Sequence, residues 1–328
     1  MIEVINSSHD PYFNLALEEF AVKNWSDGQS YFILWQNQPA VIVGRNQNTI
    51  GEINQAYIEE QGIKVVRRMS GGGAVYHDLG NLNFTIVVNE NNDFANFEKF
   101  TRPVIAALEK IGIEAENNGR NDITIEGRKF SGNAQFKFKD RLLHHGTILF
   151  DSRLEDMARA LNPGEQKISS KGIKSVRSRV TNISEHLSAP VSVEEFKRIL
   201  AEEVLQGEND NHTYHLSDAD LQAVNYLKNN KYAAWAWNYG NSPAYNIRKT
   251  GVFSWGNIDI RLDIKRGLIS GCRIYGDYFA AGDIGELEQA LIGEEYREEE
   301  IKKCLAQLQL KKYLPQTDET AFTALLCK

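Results

Sequence analysis

Cysteine is scarce in this chain of 328 residues, and the absences bound its chemistry before any motif is read. Cys272, Cys304 and Cys327 form no CxxC pair and no His/Cys cluster with zinc spacing, so they read as reduced, structural thiols. The first 271 residues hold no cysteine and no GxSxG elbow, which leaves an acyl-enzyme there without an obvious nucleophile. No run approaches the 18 apolar residues of a membrane span. The opening "MIEVINSSHD" has neither a basic n-region nor an apolar h-region, so no signal peptide is read and a cytoplasmic location is expected. Excess positive charge is missing too: the net charge of −7 gives nonspecific nucleic-acid or membrane binding little support, although a local basic patch is compatible with it. There is no tandem repeat and no low-complexity tract.

What is present reads as an ordinary globular protein, with 42% hydrophobic and 25% charged residues. Its length suggests two domains, or one large domain with an appendage. "HDPYFNLALEEFAVKNW" predicts a first helix with Asp10 as N-cap and Pro11 at the first helical position. Strands are expected at 31–35 and 40–44 with a turn between them, then a helix near 54–61, capped by Asn54 and stopped by Gly62. "IKVVR" and "NLNFTIVV" read as strands, and a long amphipathic helix spans roughly 93–111, with Pro103 as a kink or a start. From 121 to 150 the pattern is mostly strand. Helices resume near 153–161, 192–206 and 217–230, the last with Ser217 and Asp220 in capping-box spacing. The stretch "NYGNSPAYN" (238–246) suits a boundary between a large domain, 1–242, and a small one, 247–328. In the small domain, short strands followed by helices near 285–291 and 297–309 predict an α+β unit.

Three segments can carry chemistry. In "RRMSGGGAVYHDLGN" (67–81), the glycines 71–73 admit positive φ and close backbone approach, so amide N–H groups can face an anion or a carboxylate. The spacing is neither a P-loop nor GxGxxG. A flexible loop is the plain alternative, but Arg67, Arg68 and Ser70 on one side and His77 and Asp78 on the other favour a ligand site. In "NDITIEGRKFSG", a two-residue turn at Glu126-Gly127 sets Thr124 opposite Lys129, Ile123 opposite Phe130 and Asp122 opposite Ser131. Asp122, Thr124, Lys129 and Ser131 then share one face, with a lysine and an aspartate as diagonal neighbours. Spacing alone favours a plain surface hairpin with one wet face. "KISSKGIKSVRSRVTN" (167–182) carries basic residues and no acid; it reads as a mobile loop able to close over an anionic ligand, or as a solvated basic loop. His144 and His145 in "HHGT" read as packing residues in preference to metal ligands.

Taken together and in order, "RRMSGGGAVYHDLGNLNFT", "GRNDITIEGRKFSGNAQ", "HHGTILF" and "KGIKSVRSRVTN" resemble the signature segments of the bacterial lipoate–protein ligases. The resemblance runs over essentially the whole chain, including the small C-terminal domain of the long ligases. It implies an α/β (α+β) fold: a large mixed-sheet catalytic domain of the biotin/lipoate ligase type plus a small α+β domain. It also implies a two-step reaction, in which lipoate and MgATP give lipoyl-AMP and pyrophosphate, and the lipoyl group then passes to a lysine of an acceptor.

The same resemblance implies site roles. Arg68, Gly73, Ala74, Val75 and Tyr76 fall on ATP and adenylate positions, and Lys129 on the lysine that touches both lipoate and nucleotide. Gly71, Gly72 and His77 fall on the lipoate side. Lys171, Gly172, Ser175, Val176 and Arg179 belong to the adenylate-covering loop, and Asp122 lies near Mg2+. ATP, Mg2+ and lipoate enter as substrates, with no permanently bound cofactor. The implied partners are lipoyl-domain acceptors, either E2 subunits of 2-oxoacid dehydrogenases or the glycine-cleavage H protein, with no nucleic acid, no membrane and a monomeric enzyme. The nearest alternative is a lipoyl- or octanoyltransferase using a preformed adenylate or a protein donor; protein-donor relatives work through a cysteine that the large domain lacks. A biotin ligase is disfavoured because "RRMSGGG" stands where a GRGRxG-type segment belongs, and a non-catalytic lipoate-binding protein because Lys129 and Asp122 are both present.

Overall fold

The computed structural model describes residues 1–25, 27–47, 49–89, 93–119, 121–161, 179–205, 213–239, 247–265, 267–296 and 298–327. The large domain contributes strands β1 (Ile2–Ile5), β2 (Tyr31–Gln36), β3 (Ala40–Val43), β4 (Lys64–Arg67), β5 (Val75–His77), β6 (Asn81–Asn89), β7 (Glu116–Asn118), β8 (Asp122–Ile125), β9 (Arg128–Phe138), β10 (Arg141–Leu149) and β11 (Thr213–His215). The small domain adds β12 (Ile247–Phe253), β13 (Gly256–Lys265) and β14 (Leu268–Gly276).

Eight strands form one mixed sheet in the order β11-β1-β2-β6-β10-β9-β8-β7. β1 runs parallel to both β11 and β2, and the remaining neighbours are antiparallel. Alternation along β2 splits the core. Phe32 packs with Leu82, Phe84 and Ile86 against the helices Phe97–Lys110 and Val193–Leu205, whereas Tyr31, Ile33 and Trp35 pack against the helix Pro11–Asn24. On β6 the residues between the apolar ones are Asn81, Asn83 and Thr85, all buried. That polar row on a doubly covered strand marks the face that carries the site.

A second sheet, β4-β3-β5, contributes Ile42, Val75 and His77 to the same cavity as Asn83 of that polar row. The turn expected after residue 35 therefore joins two sheets; it does not close a hairpin between its flanking strands. Several start and stop signals act as read. Asp10 accepts a hydrogen bond from Tyr12 N, Asn54 accepts from Tyr57 N, Gly62 is left-handed at φ 63°, and Ser217 and Asp220 form a reciprocal cap. Others differ. The helix from Asp218 stops at Leu227 and is followed by a π-helical turn, Lys228–Tyr232, while β1, β5, β11 and the helix Glu319–Cys327 were not expected.

The small domain is the meander β12-β13-β14 covered by the helices Ile284–Leu291, Glu298–Leu308 and Glu319–Cys327 around Ile260, Leu262, Leu287, Ile301 and Phe322. It touches the large domain where Gly276 N donates to Asn46 O (2.6 Å), where Gly72 N donates to Tyr278 O (3.2 Å), and where Arg45 approaches Asp283 (3.7 Å).

Candidate functional site

The β8–β9 hairpin turns through Glu126 and Gly127 at φ 50° and 74°, the two positive φ values that a two-residue turn needs to match strand twist. Thr124 faces Lys129 as the sequence predicts. The register then shifts. Ile123 faces Ser131 and Asp122 faces Gly132, so the expected Ile123–Phe130 and Asp122–Ser131 pairings are replaced by a bulge that leaves Phe130 as the extra, fully buried residue. The predicted charge pair survives this shift, and Lys129 Nζ lies 2.7 Å from Asp122 Oδ1 with both side chains about one-third exposed. Gly132 makes room for it: a Cβ there would stand 2.9 Å from Lys129 Nζ.

Lys129 is also held through its backbone. Lys129 N donates to Arg179 O (2.8 Å) and Thr181 N donates to Lys129 O (2.9 Å), which lays residues 179–181 alongside β9. Of the expected covering loop, Arg179 is described, whereas Lys171, Gly172, Ser175 and Val176 lie outside the described residues.

The glycine segment divides its labour in a way that its sequence does not show. A Cβ on Gly71 would stand 2.2 Å from Tyr278 O, and Gly72, at φ 90°, bonds the same carbonyl and faces the Phe279 ring. Those two positions are bare because the small domain seats on them. Gly73 has open space around its Cβ direction, and both Gly72 and Gly73 line the cavity.

The neighbouring arginines, expected to offer their charge to a ligand, are committed to the protein. Arg67 Nε and both Nη atoms donate to the carbonyls of Trp237, Gly44, Arg45, Gln47 and Asn238 and to Thr49 Oγ1, at 2.6–3.2 Å. Arg68 donates to Ser70 Oγ (3.0 Å) and to the carbonyls of Ile42 (3.2 Å), Gly71 (2.6 Å) and Gly73 (2.9 Å). Burial lowers both guanidinium pKa values to about 10. Arg68 thus shapes the glycine segment by gathering its carbonyls, and it lines a cavity together with Gly72, Gly73 and Lys129.

Two cavities meet at Lys129. A narrow one of about 120 Å³ runs among Leu15, Trp35, Ile42, Val75, His77 and Gly146. A wide one of about 440 Å³ is bounded by Tyr76, Asn81, Asn118, Asp122, Thr124 and Arg179. Ala74, Val75, Lys129, Gly132 and Thr147 line both, so the ammonium stands at the junction. In the wide cavity Asn81 Oδ1 and Thr124 Oγ1 are buried without partners among the described residues, which suits a ligand with polar edges. The narrow one is buried polar and apolar in alternation. His77 lies there, and burial lowers its pKa to about 3, helped by the Arg68 charge. Ser70, His145 and Glu18 form a hydrogen-bonded run behind it, with Ser70 Oγ 2.6 Å from His145 Nε2 and His145 Nδ1 2.9 Å from Glu18 Oε1. Sequence reading missed Trp35, Asn83, Asn133 and Thr147; the polar alternation in "NLNFT" was the available signal for Asn83.

Comparison with known proteins points to one family. The model for the lipoyl protein ligase A/B catalytic domain matches residues 10–205, and that for the bacterial lipoate protein ligase C-terminus matches 242–326. The chain is 46% identical over 321 residues to a lipoate-protein ligase of Bacillus subtilis, covering 97% of each. It is 46% identical over 314 residues to lipoate–protein ligase 1 of Staphylococcus aureus, covering 95% of each. Among solved structures, P. falciparum LipL1 in complex with lipoate superposes with a TM-score of 0.81 at 28% identity, covering 99% of this chain and 98% of that one. The bipartite lipoate protein ligase of Thermoplasma acidophilum, studied with its E2 lipoyl domain, gives 0.68 at 25% identity, over 75% of this chain and 98% of that one. With relatives this similar across nearly its full length, the chain belongs to the lipoate–protein ligase family.

Proposed function

We propose that the chain joins lipoate to ATP, forming lipoyl-AMP and pyrophosphate, and then passes the lipoyl group to the ε-amine of a lysine on an acceptor lipoyl domain. The observation that carries this reading is Lys129 at the junction of a narrow cavity and a wide one. The narrow cavity takes the acyl chain and the wide one the nucleotide, so the carboxylate and the α-phosphate meet at the ammonium. The complex of P. falciparum LipL1 with lipoate, and the archaeal ligase studied with an E2 lipoyl domain, support the acyl substrate and the class of acceptor.

In the first half-reaction a lipoate carboxylate oxygen attacks the α-phosphorus, and the bond to the β-phosphate breaks with the electron pair leaving on pyrophosphate. Two anions must approach, so a fixed cation at their meeting point lowers the barrier. Lys129 supplies it, with Asp122 holding the ammonium before substrate arrives. In the second, the acceptor amine attacks the acyl carbon, the acyl–phosphate C–O bond breaks, AMP leaves and the amine proton passes to solvent. Lys129 donates to the acyl oxygen as negative charge builds there. Mg2+ travels with ATP, and the Asp122 carboxylate is suited to complete a coordination shell made mostly of phosphate oxygens and water. The reading includes a monomer that works in the cytoplasm on an E2 subunit or an H protein.

The test is incubation with lipoate, Mg2+ and ATP but no acceptor, followed by mass spectrometry. Lipoyl-AMP and pyrophosphate are expected. Acylation of an apo lipoyl domain from supplied lipoyl-AMP, with no adenylate formed from ATP, would replace the ligase by a transferase.

Gly132→Ala gives a finer check. The added methyl displaces the Lys129 ammonium, not the backbone, so turnover is expected to fall about 10–100-fold with little change in melting temperature. In a Lys129→Ala background the same methyl should be silent. An equal loss in both backgrounds would mean that Gly132 acts elsewhere than through Lys129.

A further inference from the structure

The narrow cavity crosses the large sheet along one row of paired residues. Trp35 on β2 pairs with Asn83 on β6, Asn83 with Thr147 on β10, and Thr147 with Gly132 on β9; all four line the cavity. Three inter-strand steps of about 4.8 Å separate the ends by roughly 14 Å. Lys129 stands at the Gly132 end, and Trp35 and His77, with ring centroids 6.0 Å apart, mark the far end.

Polar side chains near that far end are engaged by the protein. Trp35 Nε1 donates to Thr85 Oγ1 (2.9 Å), Asn83 Nδ2 donates to Trp35 O (3.3 Å), and His145 is held between Ser70 and Glu18. His77 differs. The residue is 2% exposed, it lines the cavity, and its Nε2 has no partner among the described residues.

Which proton that nitrogen carries follows from a relay that starts at backbone carbonyls. Asn14 Nδ2 lies 3.0 Å from both Ser8 O and Gln36 O, which only accept, so the nitrogen end of this amide is fixed. Asn37 lies 2.8 Å from the same Nδ2, where a second amide nitrogen would be repelled, so the atom it presents is Oδ1 and Asn37 turns its Nδ2 to His77 Nδ1, 3.0 Å away. His77 Nδ1 therefore accepts. In the neutral ring that burial enforces, the proton sits on Nε2.

We propose that His77 Nε2–H is a donor directed at a sulfur of the bound acyl chain, so that the far end of the cavity selects lipoate over octanoate. The proposal rests on the reading of the narrow cavity as the acyl site. Lipoate and octanoate share a carbon skeleton, so length cannot separate them. A disulfide sulfur is a weak acceptor, but the methyl end of octanoate leaves a buried N–H unpaired, and that asymmetry enlarges the difference. Asn37 and Asn14 act through His77 as positioning residues.

The experiment compares the ratio of kcat/KM for lipoate to that for octanoate in the parent, His77→Phe and His77→Gln. The ratio is expected to fall about fivefold in His77→Phe and to recover in large part in His77→Gln, which keeps a donor. An unchanged ratio in His77→Phe, with both acids turned over, overturns the proposal. If the parent turns over neither acid with ATP, it is the ligase reading that fails. Nitrogen-15 NMR of the parent imidazole needs no turnover and decides the matter even where a variant does not fold. His77 Nε2 should resonate as a protonated nitrogen and shift on adding lipoate but not octanoate. A deprotonated Nε2, or equal shifts with the two acids, also overturns it.

Discussion

Lys129→Ala is expected to lower lipoate-dependent ATP–pyrophosphate exchange about 10³-fold while leaving the protein folded, the size of loss seen when a single preorganised charge or donor is taken from a reaction centre. The fold should survive because the side chain is 37% exposed and Asp122, its ion-pair partner, is itself one-third exposed. The backbone bonds between Lys129 and residues 179–181 do not depend on the side chain. Lys129→Arg should be nearly as poor. The gap at Gly132 accepts a compact ammonium, and a planar fork there cannot place one donor between an acyl and a phosphate oxygen. Exchange assays, acylation of an apo lipoyl domain and a thermal melt together check this. Normal exchange with normal acceptor modification in Lys129→Ala would remove the lysine from the mechanism.

Local signals carried much of this fold. Asp10 with Pro11, Asn54 with Gly62, and Ser217 with Asp220 each satisfy backbone groups within a few residues of themselves, so their outcome is written in adjacent letters. The Glu126-Gly127 turn is of the same kind, and it delivered the Lys129–Asp122 pair. What could not be read depends on distant partners. The bulge at Phe130 arises where a buried aromatic ring and a paired strand compete for register, and nothing in "RKFSG" announces it. β1 and β11, four and three residues long, pair with one another across some two hundred residues, and runs so short carry no usable period. The arginines illustrate the limit most plainly. Beside three glycines they look like anion ligands, yet most of their partners are backbone carbonyls, and a carbonyl has no letter in the sequence.

Arg67→Ala is the second large effect, on stability instead of chemistry. Arg67 is 8% exposed, and the acceptors of its side chain are neutral: five carbonyl oxygens and the Thr49 hydroxyl. Its own backbone joins in, since Arg67 N donates to Asn238 Oδ1 (2.9 Å) and Arg67 O accepts from Trp237 Nε1 (2.8 Å). Truncation leaves a group of inward-facing carbonyls without a donor, at about 1–3 kcal/mol for each that water cannot reach. A net loss of about 4–5 kcal/mol is expected, a large part of an ordinary folding free energy of about 5–15 kcal/mol. Urea unfolding should show it as a lower midpoint, and Arg67→Lys should fall well short of the parent because one ammonium cannot reach acceptors on both 44–49 and 237–238. The loop that Arg67 holds bears on the site from two sides. A Cβ on Gly44 would meet Gly72 O at 1.9 Å, and Asn46 O receives Gly276 N from the small domain. Partial loosening of that loop should therefore raise hydrogen exchange at residues 71–73 and 276–279 before the rest of the large sheet responds. A parent-like midpoint with unchanged exchange in those segments would show that the carbonyls find other donors and that Arg67 is dispensable.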